Sequence, residues 1–334
     1  MKKVVVFVFL IGIFFACKKK TGETNVMGYV YSYNGKYPLG GIKSYIQSSP
    51  SNYDYTNSEG YFEIKDAPSG DQVLVLESGS FKTTINVKIK KGEDNVVSTK
   101  NNPIKFGKET ISPVKMAVVY GDYDQIEGLL DSIGFPKISS PDVDSTGYVF
   151  YSYYTDILYN PQELSKFDIL FLNCSSYEDF RQDNIAINNL KNYINSGGSL
   201  YASDWAYDAI EATFPEYIDF YGEDTIPGDA KEGESEENVS SRVSDERIKE
   251  ALGKEKIFIN FNLGEWVIID NVGNQTEVWV KADSIHTYTG ALFNKPLMVK
   301  FNYGSGKVIY TSFHNEAQIT QDMIKILITV IYSL

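Results

Sequence analysis

Two short polar segments carry the side-chain types that nucleophilic hydrolysis requires. Ser203 ends an apolar segment at residues 199–203, and Asp204 follows it directly. His314 and Glu316 follow a second apolar segment at residues 307–313. A serine hydroxyl becomes nucleophilic when an imidazole takes its proton and a carboxylate orients that ring. Ser203, His314 and Glu316 are therefore a candidate catalytic set, with Asp204 as an alternative nucleophile or general base.

The same residues also allow an interpretation without catalysis. Asp204 precedes a predicted helix that begins near Trp205. At that position its carboxylate would accept a backbone N–H and interact favourably with the helix dipole. The turn also lacks the flanking glycines of a hydrolase nucleophile elbow. The sequence leaves the catalytic role and the helix-capping role open.

The sequence predicts no cofactor and no metal site. The chain has two histidines, His286 and His314, which are widely separated. A zinc site needs three or four histidine, cysteine or carboxylate ligands, usually at a recognisable spacing. Cys174 follows a predicted strand and is interpreted as a small buried apolar residue. The acidic segment 223–237 lacks the ligand pattern of an EF-hand and is interpreted as a solvated loop.

An α/β unit must position the candidate residues. Residues 114–120, 167–173 and 199–203 are nearly continuous apolar runs, typical of parallel strands covered on both faces. Apolar residues at helical spacing lie between these runs. The alternation predicts a doubly wound α/β sheet, in which ligands bind outside the carboxyl ends of the strands. The last third of the chain adds two predicted strands, at residues 257–261 and 278–282, and a predicted hairpin of 297–303 with 307–313. A closing helix is predicted with its inner face at residues 319–330.

Three segments in this part, at residues 167–173, 197–205 and 306–314, resemble the class I glutamine amidotransferase-like superfamily. That superfamily has a flavodoxin-like fold and includes trehalose-utilisation-like proteins, and the resemblance covers residues 114–334. Active amidotransferases place a cysteine on a sharp turn between strand and helix, and a His-x-Glu motif after a late strand completes the triad. His314 and Glu316 match the motif, but Ser203 and Asp204 stand where the cysteine is expected. The resemblance therefore implies a domain that lacks the nucleophilic cysteine.

Cys174 does not replace that cysteine in the sequence-based prediction. It follows the strand that, in the superfamily, leads into the loop on the oxyanion side. We therefore expect Cys174 to lie too far along the fold to act as the nucleophile.

Residues 25–98 have the pattern of an antiparallel β-sandwich, with short alternating strands separated by turns. Apolar and polar side chains alternate over residues 85–90, which predicts one buried and one solvated face. Four motifs resemble the carboxypeptidase regulatory-like domain in order and spacing: residues 28–30, 38–42, 60–64 and 67–70. The resemblance implies a transthyretin-like sandwich that acts as a structural module without catalysis. A polar segment at 99–113 is the predicted linker to the α/β domain.

The first 24 residues predict the location of the protein. Residues 1–16 have a basic start, an apolar run shorter than the roughly 20 residues that span a bilayer, and a small residue before Cys17. They resemble a bacterial lipoprotein signal peptide, whose removal leaves Cys17 lipidated and residues 17–24 as the N-terminal tether. Acyl chains contribute about 0.8 kcal/mol per buried CH₂ to membrane anchoring. We expect attachment to a bacterial membrane in the cell envelope, at the outer membrane on its periplasmic or surface side; an uncleaved anchor is the alternative.

Charge and composition restrict the possible partners. The formal net charge of −13 at pH 7 argues against nucleic acid as a partner. Once Cys17 is lipidated, Cys174 is the only remaining cysteine, so no intramolecular disulfide is expected. The 25 tyrosines and three tryptophans are assigned to the core by default.

The favoured hypothesis is a lipid-anchored envelope or cell-surface protein. Its amidotransferase-like domain would be non-catalytic and would bind a glycan or a protein partner. The first alternative is a hydrolase that acts on a glycan, amide or ester through Ser203 or Asp204 with His314 and Glu316. That alternative requires one of the first two side chains to lie within about 3.2 Å of His314. The second alternative is a purely structural lipoprotein.

Overall fold

The computed structural model describes residues 22–108, 112–316 and 319–334. The predicted signal peptide, residues 1–16, and the lipidation site Cys17 lie outside the described residues. No helix in the described ranges has the length and apolar character that crossing a membrane would require. The lipid anchor therefore stays a prediction.

The N-terminal part contains two four-stranded sheets. Their strands are β1 (Asn25–Tyr31), β2 (Lys43–Ile46), β3 (Tyr53–Tyr55), β4 (Tyr61–Ile64), β5 (Gly70–Ser78), β6 (Phe81–Ile89), β7 (Asp94–Val96) and β8 (Ile104–Lys105). On β6, Ile89 is buried and Ile85 and Val87 are half-buried, whereas Asn86 and Lys88 are exposed. The alternation of a buried and a solvated face along this strand follows the sequence pattern.

The pairing within these sheets differs from the prediction in one respect. One sheet has the order β4-β1-β7, with β8 also paired to β1, and the other has the order β3-β2-β5-β6. The sequence predicts antiparallel pairing throughout, but β7 and β8 are parallel to β1. The reason is that the chain leaves β6 at the edge of one sheet and crosses to the other, where it runs alongside β1.

The remaining elements build a large mixed sheet with helices and smaller hairpins. They are β9 (Lys115–Val119), α1 (Ile126–Ile133), β10 (Gly147–Tyr151), α2 (Tyr154–Leu158), α3 (Pro161–Leu164), β11 (Ile169–Leu172), α4 (Asn184–Asn195), β12 (Ser199–Ser203), α5 (Tyr207–Thr213), β13 (Ile218–Phe220), β14 (Glu236–Val243), α6 (Glu246–Leu252), β15 (Lys256–Phe261), β16 (Ile269–Val272), β17 (Thr276–Ala282), β18 (Ser284–Thr287), β19 (Gly290–Phe293), β20 (Pro296–Tyr303), β21 (Gly306–Thr311) and α7 (Gln321–Ser333).

The large sheet has nine strands in the order β10-β9-β11-β12-β21-β20-β17-β14-β15. The first five are parallel to one another, and the other four are joined by antiparallel pairing. Numbered along the chain, the parallel strands have the order 2-1-3-4-5, which is that of flavodoxin-like doubly wound sheets. The predicted doubly wound sheet is therefore present in this part of the chain.

Helices cover both faces of the parallel strands. On β9, Met116 and Val118 belong to a buried cluster that also contains residues of α1 and α7. Ala117 and Val119 belong to a second cluster with residues of α4 and α5. Because successive side chains of a strand point to opposite faces, this division explains why the strand has a continuous apolar run.

The N-terminal sheets and the closing helix share one buried cluster, which contains Phe81 on β6 and Tyr332 on α7. The ring centroids of these two side chains are 5.1 Å apart. The predicted linker, residues 99–113, contains β8 and the fully buried Phe106, which also packs on Tyr332. The division into a sandwich at 25–98 and an α/β domain at 114–334 stays a prediction.

Candidate functional site

Five buried polar side chains meet at the carboxyl ends of four adjacent parallel strands. Asp124 follows β9, Cys174 follows β11, Ser203 ends β12 and is followed by Asp204, and His314 follows β21. None of the five is more than 7% exposed. The strands β9, β11, β12 and β21 are neighbours in the sheet, so loops that are distant in sequence converge at one edge. This is the edge at which doubly wound folds bind ligands.

Ser203 is hydrogen-bonded to Asp124 rather than to His314. Its Oγ donates to Asp124 Oδ2 at 2.6 Å, and the backbone N–H of Asn315 donates to Asp124 Oδ1 at 3.2 Å. Burial raises the pKa of Asp124 to about 7, against the opposing effect of these two hydrogen bonds. Within the described residues, the serine hydroxyl therefore has a carboxylate partner and no imidazole partner.

The chain turns sharply at Asp204, which follows β12 directly and is the first residue of a short 3₁₀ helix, Asp204–Ala206. This helix leads into α5. Its φ of +47° is in the left-handed region, which residues other than glycine rarely adopt. The Asp204 carbonyl accepts a hydrogen bond from the Tyr310 hydroxyl at 2.7 Å, and its Oδ1 accepts one from the Val267 N–H at 2.7 Å. Among the described residues the Asp204 carboxylate accepts hydrogen bonds from Val267 and Cys174 and none from the helix that follows it, so the predicted capping role is not observed.

Cys174, Asp204 and His314 form a compact buried cluster. The Cys174 thiol donates to Asp204 Oδ2 at 3.4 Å, and His314 Nδ1 lies 3.6 Å from the same oxygen. A ligand atom of each residue lies within 4.8 Å of those of the other two. Cys174 therefore lies beside Asp204 and His314, because β11 and β12 are direct neighbours and the Cys174 side chain meets the turn at Asp204. The expectation that Cys174 does not act as the nucleophile stays a prediction.

Burial disfavours the charged form of each group in this cluster. It raises the pKa of the Cys174 thiol well above its usual value and that of Asp204 to about 7. It also lowers the pKa of His314 to about 4, so the imidazole is uncharged at neutral pH. His314 Nδ1 is buried and has no hydrogen-bond partner among the described residues. The 3.6 Å separation from Asp204 is longer than an ordinary hydrogen bond.

Glu316 does not complete a triad in the described part of the chain. The residue is half-buried, and no hydrogen bond or ion pair joins its carboxylate to His314 there. The neighbouring Asn315 donates from Nδ2 to the Gln125 carbonyl at 2.6 Å and from its N–H to Asp124. These bonds hold the segment after His314 against the start of α1.

A pocket of about 280 Å³ opens above Asp204 and His314. Aromatic side chains form much of its wall: Tyr123, Phe261, Trp205, Trp266 and Tyr288. Trp205 packs edge-on against Tyr123 with ring centroids 5.0 Å apart. The assignment of aromatic residues to the core by default is correct for Phe261 and Trp266, which are buried, but it missed the half-buried Trp205 and the exposed Tyr123 and Tyr288. The segment 261–266 has an aromatic residue at each end and a glycine, Gly264, between them. This composition does not indicate a site, because only the folded sheet places the segment beside Asp204 and His314.

We expect Ser203→Ala to lower the free energy of unfolding by about 1–3 kcal/mol, because it leaves the buried Asp124 carboxyl without its hydroxyl donor. Urea denaturation of residues 18–334 measures this change. Ser305→Ala is the control, since Ser305 is exposed and its replacement should change stability by no more than about 0.5 kcal/mol. Equal stability of the two variants would contradict a structural role for the Ser203–Asp124 bond.

No family model matches the chain, and no curated protein matches it. Several solved structures are similar to it. A protein described as ThuA-like from Bacteroides uniformis ATCC 8492 is 12% identical, with a TM-score of 0.45, over 67% of this chain and 92% of its own. A second ThuA-like protein, from Parabacteroides merdae ATCC 43184, is 15% identical, with a TM-score of 0.41, over 66% of this chain and 90% of its own.

A third similar structure is a type II Cohesin–X-Dockerin complex from Acetivibrio cellulolyticus. It is 21% identical, with a TM-score of 0.23, over 37% of this chain and 80% of its own. All three TM-scores are below 0.5 and all three identities are below 25%, so no property of these proteins is transferred to this chain.

Proposed function

We propose that this protein is a lipid-anchored envelope protein whose α/β domain binds a glycan in the aromatic pocket without catalysing a reaction. One observation carries the proposal: the half-buried Trp205 and the exposed Tyr123 and Tyr288 line a pocket that has the buried Asp204 and His314 at its floor. Aromatic faces pack against the apolar C–H faces of sugar rings, and polar groups at the floor can bind the hydroxyls. The pocket is slightly smaller than the roughly 300 Å³ at which small-molecule sites begin, which favours a short glycan segment.

The condition of the candidate nucleophiles supports binding rather than catalysis. The Ser203 hydroxyl is bound to Asp124, and the Cys174 thiol is held protonated by burial. The sequence resemblance to amidotransferases implies that Ser203 and Asp204 stand where those enzymes carry the nucleophilic cysteine. The Asp204 carboxyl group and the uncharged His314 imidazole can both form hydrogen bonds with sugar hydroxyls.

The location and the N-terminal sheets complete the proposal. The lipid on Cys17 would attach the protein to the membrane, and the two N-terminal sheets would act as a transthyretin-like spacer of the carboxypeptidase regulatory-like type. The amidotransferase-like α/β domain would then face outward from the membrane with its pocket accessible to envelope glycans. The motifs at 28–30, 38–42, 60–64 and 67–70 support the spacer.

A binding experiment on residues 18–334 tests the proposal. Glycan screening should identify a ligand, and we expect Trp205→Ala to weaken its calorimetric affinity by about 10- to 100-fold, because an aromatic anchor contributes roughly 1–3 kcal/mol. Tyr53→Ala is the control, since Tyr53 is an exposed aromatic on β3 that does not line the pocket. Unchanged affinity in Trp205→Ala would contradict this location of the site, and failure of all glycans to bind would favour a purely structural protein.

A hydrolase that uses Asp204 is the second candidate function. Its support is the left-handed turn at Asp204, a conformation that is often found at functional sites. His314 Nδ1 lies 3.6 Å from the Asp204 carboxylate, which is outside the roughly 3.2 Å that this function requires. Turnover of glycoside, amide and ester substrates by the wild type, abolished in Asp204→Asn and retained in Ser203→Ala, would establish this function. The binding proposal expects no turnover by any of the three proteins.

A further inference from the structure

We propose that Cys174, Asp204 and His314 form a binding site for a zinc-type transition metal at the floor of the aromatic pocket. This inference goes beyond glycan binding and does not depend on it. The three residue types are thiolate, carboxylate and imidazole, which together suit Zn²⁺ rather than Mg²⁺ or Ca²⁺, since those ions prefer all-oxygen sites.

The distances fit a tetrahedral arrangement. With metal–ligand bonds of about 2.0–2.3 Å, two ligands of a tetrahedral zinc ion lie about 3.3–3.8 Å apart. Asp204 Oδ2 lies 3.4 Å from Cys174 Sγ and 3.6 Å from His314 Nδ1, so two edges already have this length. All three ligand atoms lie within 4.8 Å of one another, so the third pair, Cys174 and His314, needs to approach by at most about 1 Å.

An unpartnered nitrogen provides independent support. His314 is 7% exposed, and its Nδ1, which faces Asp204 Oδ2, has no hydrogen-bond partner among the described residues. A buried polar atom without a partner costs about 1–3 kcal/mol, and a metal ion would satisfy it. The Val267 N–H binds the other Asp204 oxygen at 2.7 Å and so orients the carboxylate toward the position that the metal would occupy.

Charge and access are also consistent with a metal. The Asp204 carboxylate and a Cys174 thiolate together balance the charge of Zn²⁺. The buried site is therefore neutral once the thiol proton, and the carboxyl proton of those molecules in which Asp204 is protonated, have passed to solvent. Asp204 and His314 both line the pocket. The fourth coordination position therefore faces the cavity and is open to water or to a hydroxyl of a bound molecule.

Metal titration of metal-free residues 18–334 tests the inference without any glycan present. We expect one equivalent of Zn²⁺ to bind by calorimetry, and Co²⁺ to give a thiolate-to-metal charge-transfer band. Cys174 is the only cysteine in this form, so the band reports on that residue. Cys174→Ser and His314→Gln should each weaken zinc binding by about 100-fold or more and abolish the band.

The matched control is His286→Gln, because His286 is the only other histidine and is exposed on β18. This variant should bind zinc as the wild type does, and near-UV circular dichroism should show that all variants are folded. Stoichiometric binding that survives Cys174→Ser and His314→Gln, or no binding by the wild type, would overturn the inference. Because glycan affinity is measured separately in the presence of a chelator, failure of one proposal leaves the other interpretable.

Discussion

Replacing Tyr332 by alanine is expected to lower the free energy of unfolding by about 3–5 kcal/mol, as for other large aromatic side chains removed from a core. Tyr332 is 1% exposed on α7, with its ring centroid 5.1 Å from that of Phe81 and 5.5 Å from that of Phe106. Its hydroxyl also accepts the Tyr33 N–H at 3.0 Å. The substitution therefore opens a cavity and leaves an amide unpaired, and equilibrium urea denaturation measures both effects together.

Two further variants separate these contributions. Tyr332→Phe keeps the packing and removes only the hydroxyl, so we expect a loss of about 0.5–1.5 kcal/mol. Tyr53→Ala removes a tyrosine that is 48% exposed and should change stability by no more than about 0.5 kcal/mol. A loss below about 1 kcal/mol in Tyr332→Ala would show that the aromatic cluster does not join the N-terminal sheets to α7.

The same denaturation curves bear on the domain boundary. Phe81 and Phe106 come from the N-terminal strands and the connecting segment, whereas Tyr332 lies near the end of the last helix. If their contacts couple the two parts, unfolding is a single transition and Tyr332→Ala shifts all of it. Two separate wild-type transitions would instead support the predicted boundary at residues 99–113.

The sequence predicts well the elements whose patterns are local. A short apolar run followed by polar residues predicts a strand at residues 199–203, and β12 has these bounds. The hairpin of β20 and β21 and the closing helix α7 are also predictable, because period-2 and period-3.6 patterns are strong there. The convergence of Ser203 and His314 at one edge follows from the rule for parallel strands.

The contacts inside the site could not be predicted, because they depend on the order of strands in the sheet. Asp124 lies in a segment without apolar periodicity, and only the placement of β9 beside β11 brings it under Ser203. Cys174 approaches His314 because β11, β12 and β21 are consecutive in the sheet although they are far apart in sequence. No spacing between these residues indicates a cluster.

The prediction for the acidic segment is correct for most of its residues but misses the strand at its end. Its composition predicts a solvated loop at residues 223–237, and most of the segment has no regular structure. Its end is nevertheless a strand, since β14 begins at Glu236 and pairs with β15 and β17. Pairing of β14 with two neighbouring strands outweighs the low strand propensity of its acidic residues. This pairing depends on the tertiary structure, so the local sequence pattern does not predict it.

Replacing Arg181 by methionine is expected to lower the free energy of unfolding by about 3–5 kcal/mol at pH 7, because it leaves two buried carboxylates without their cation. Arg181 Nη1 lies 3.0 Å from Asp208 Oδ1 and also binds the Glu211 carboxylate on the same helix, α5. The three side chains are 10%, 0% and 5% exposed. The control is Arg242→Met, which breaks an exposed pair with Asp283 and should cost no more than about 1 kcal/mol.

The loss in Arg181→Met should shrink as the pH falls, and the sign follows from the carboxyl groups. Burial raises the pKa of Glu211 to about 7 and that of Asp208 above its usual value, while Arg181 acts to lower both. Without Arg181 these pKa values rise further, so as the pH rises the folded variant retains protons that the folded wild type has already released. The stability of the variant then decreases more steeply with pH than that of the wild type, and the loss is larger at the higher pH. Denaturation at pH 5 and pH 7 measures the difference.

An equal loss at both pH values would show that Arg181 acts by packing and not by its charge. The distinction matters for the pocket, because α5 starts directly after the turn that holds Asp204 and Trp205. A helix whose buried carboxylates repel each other holds that turn less firmly, and the left-handed conformation at Asp204 persists only where the surrounding structure enforces it. Arg181→Met should therefore also weaken ligand binding at pH 7, and the weakening should be smaller at pH 5.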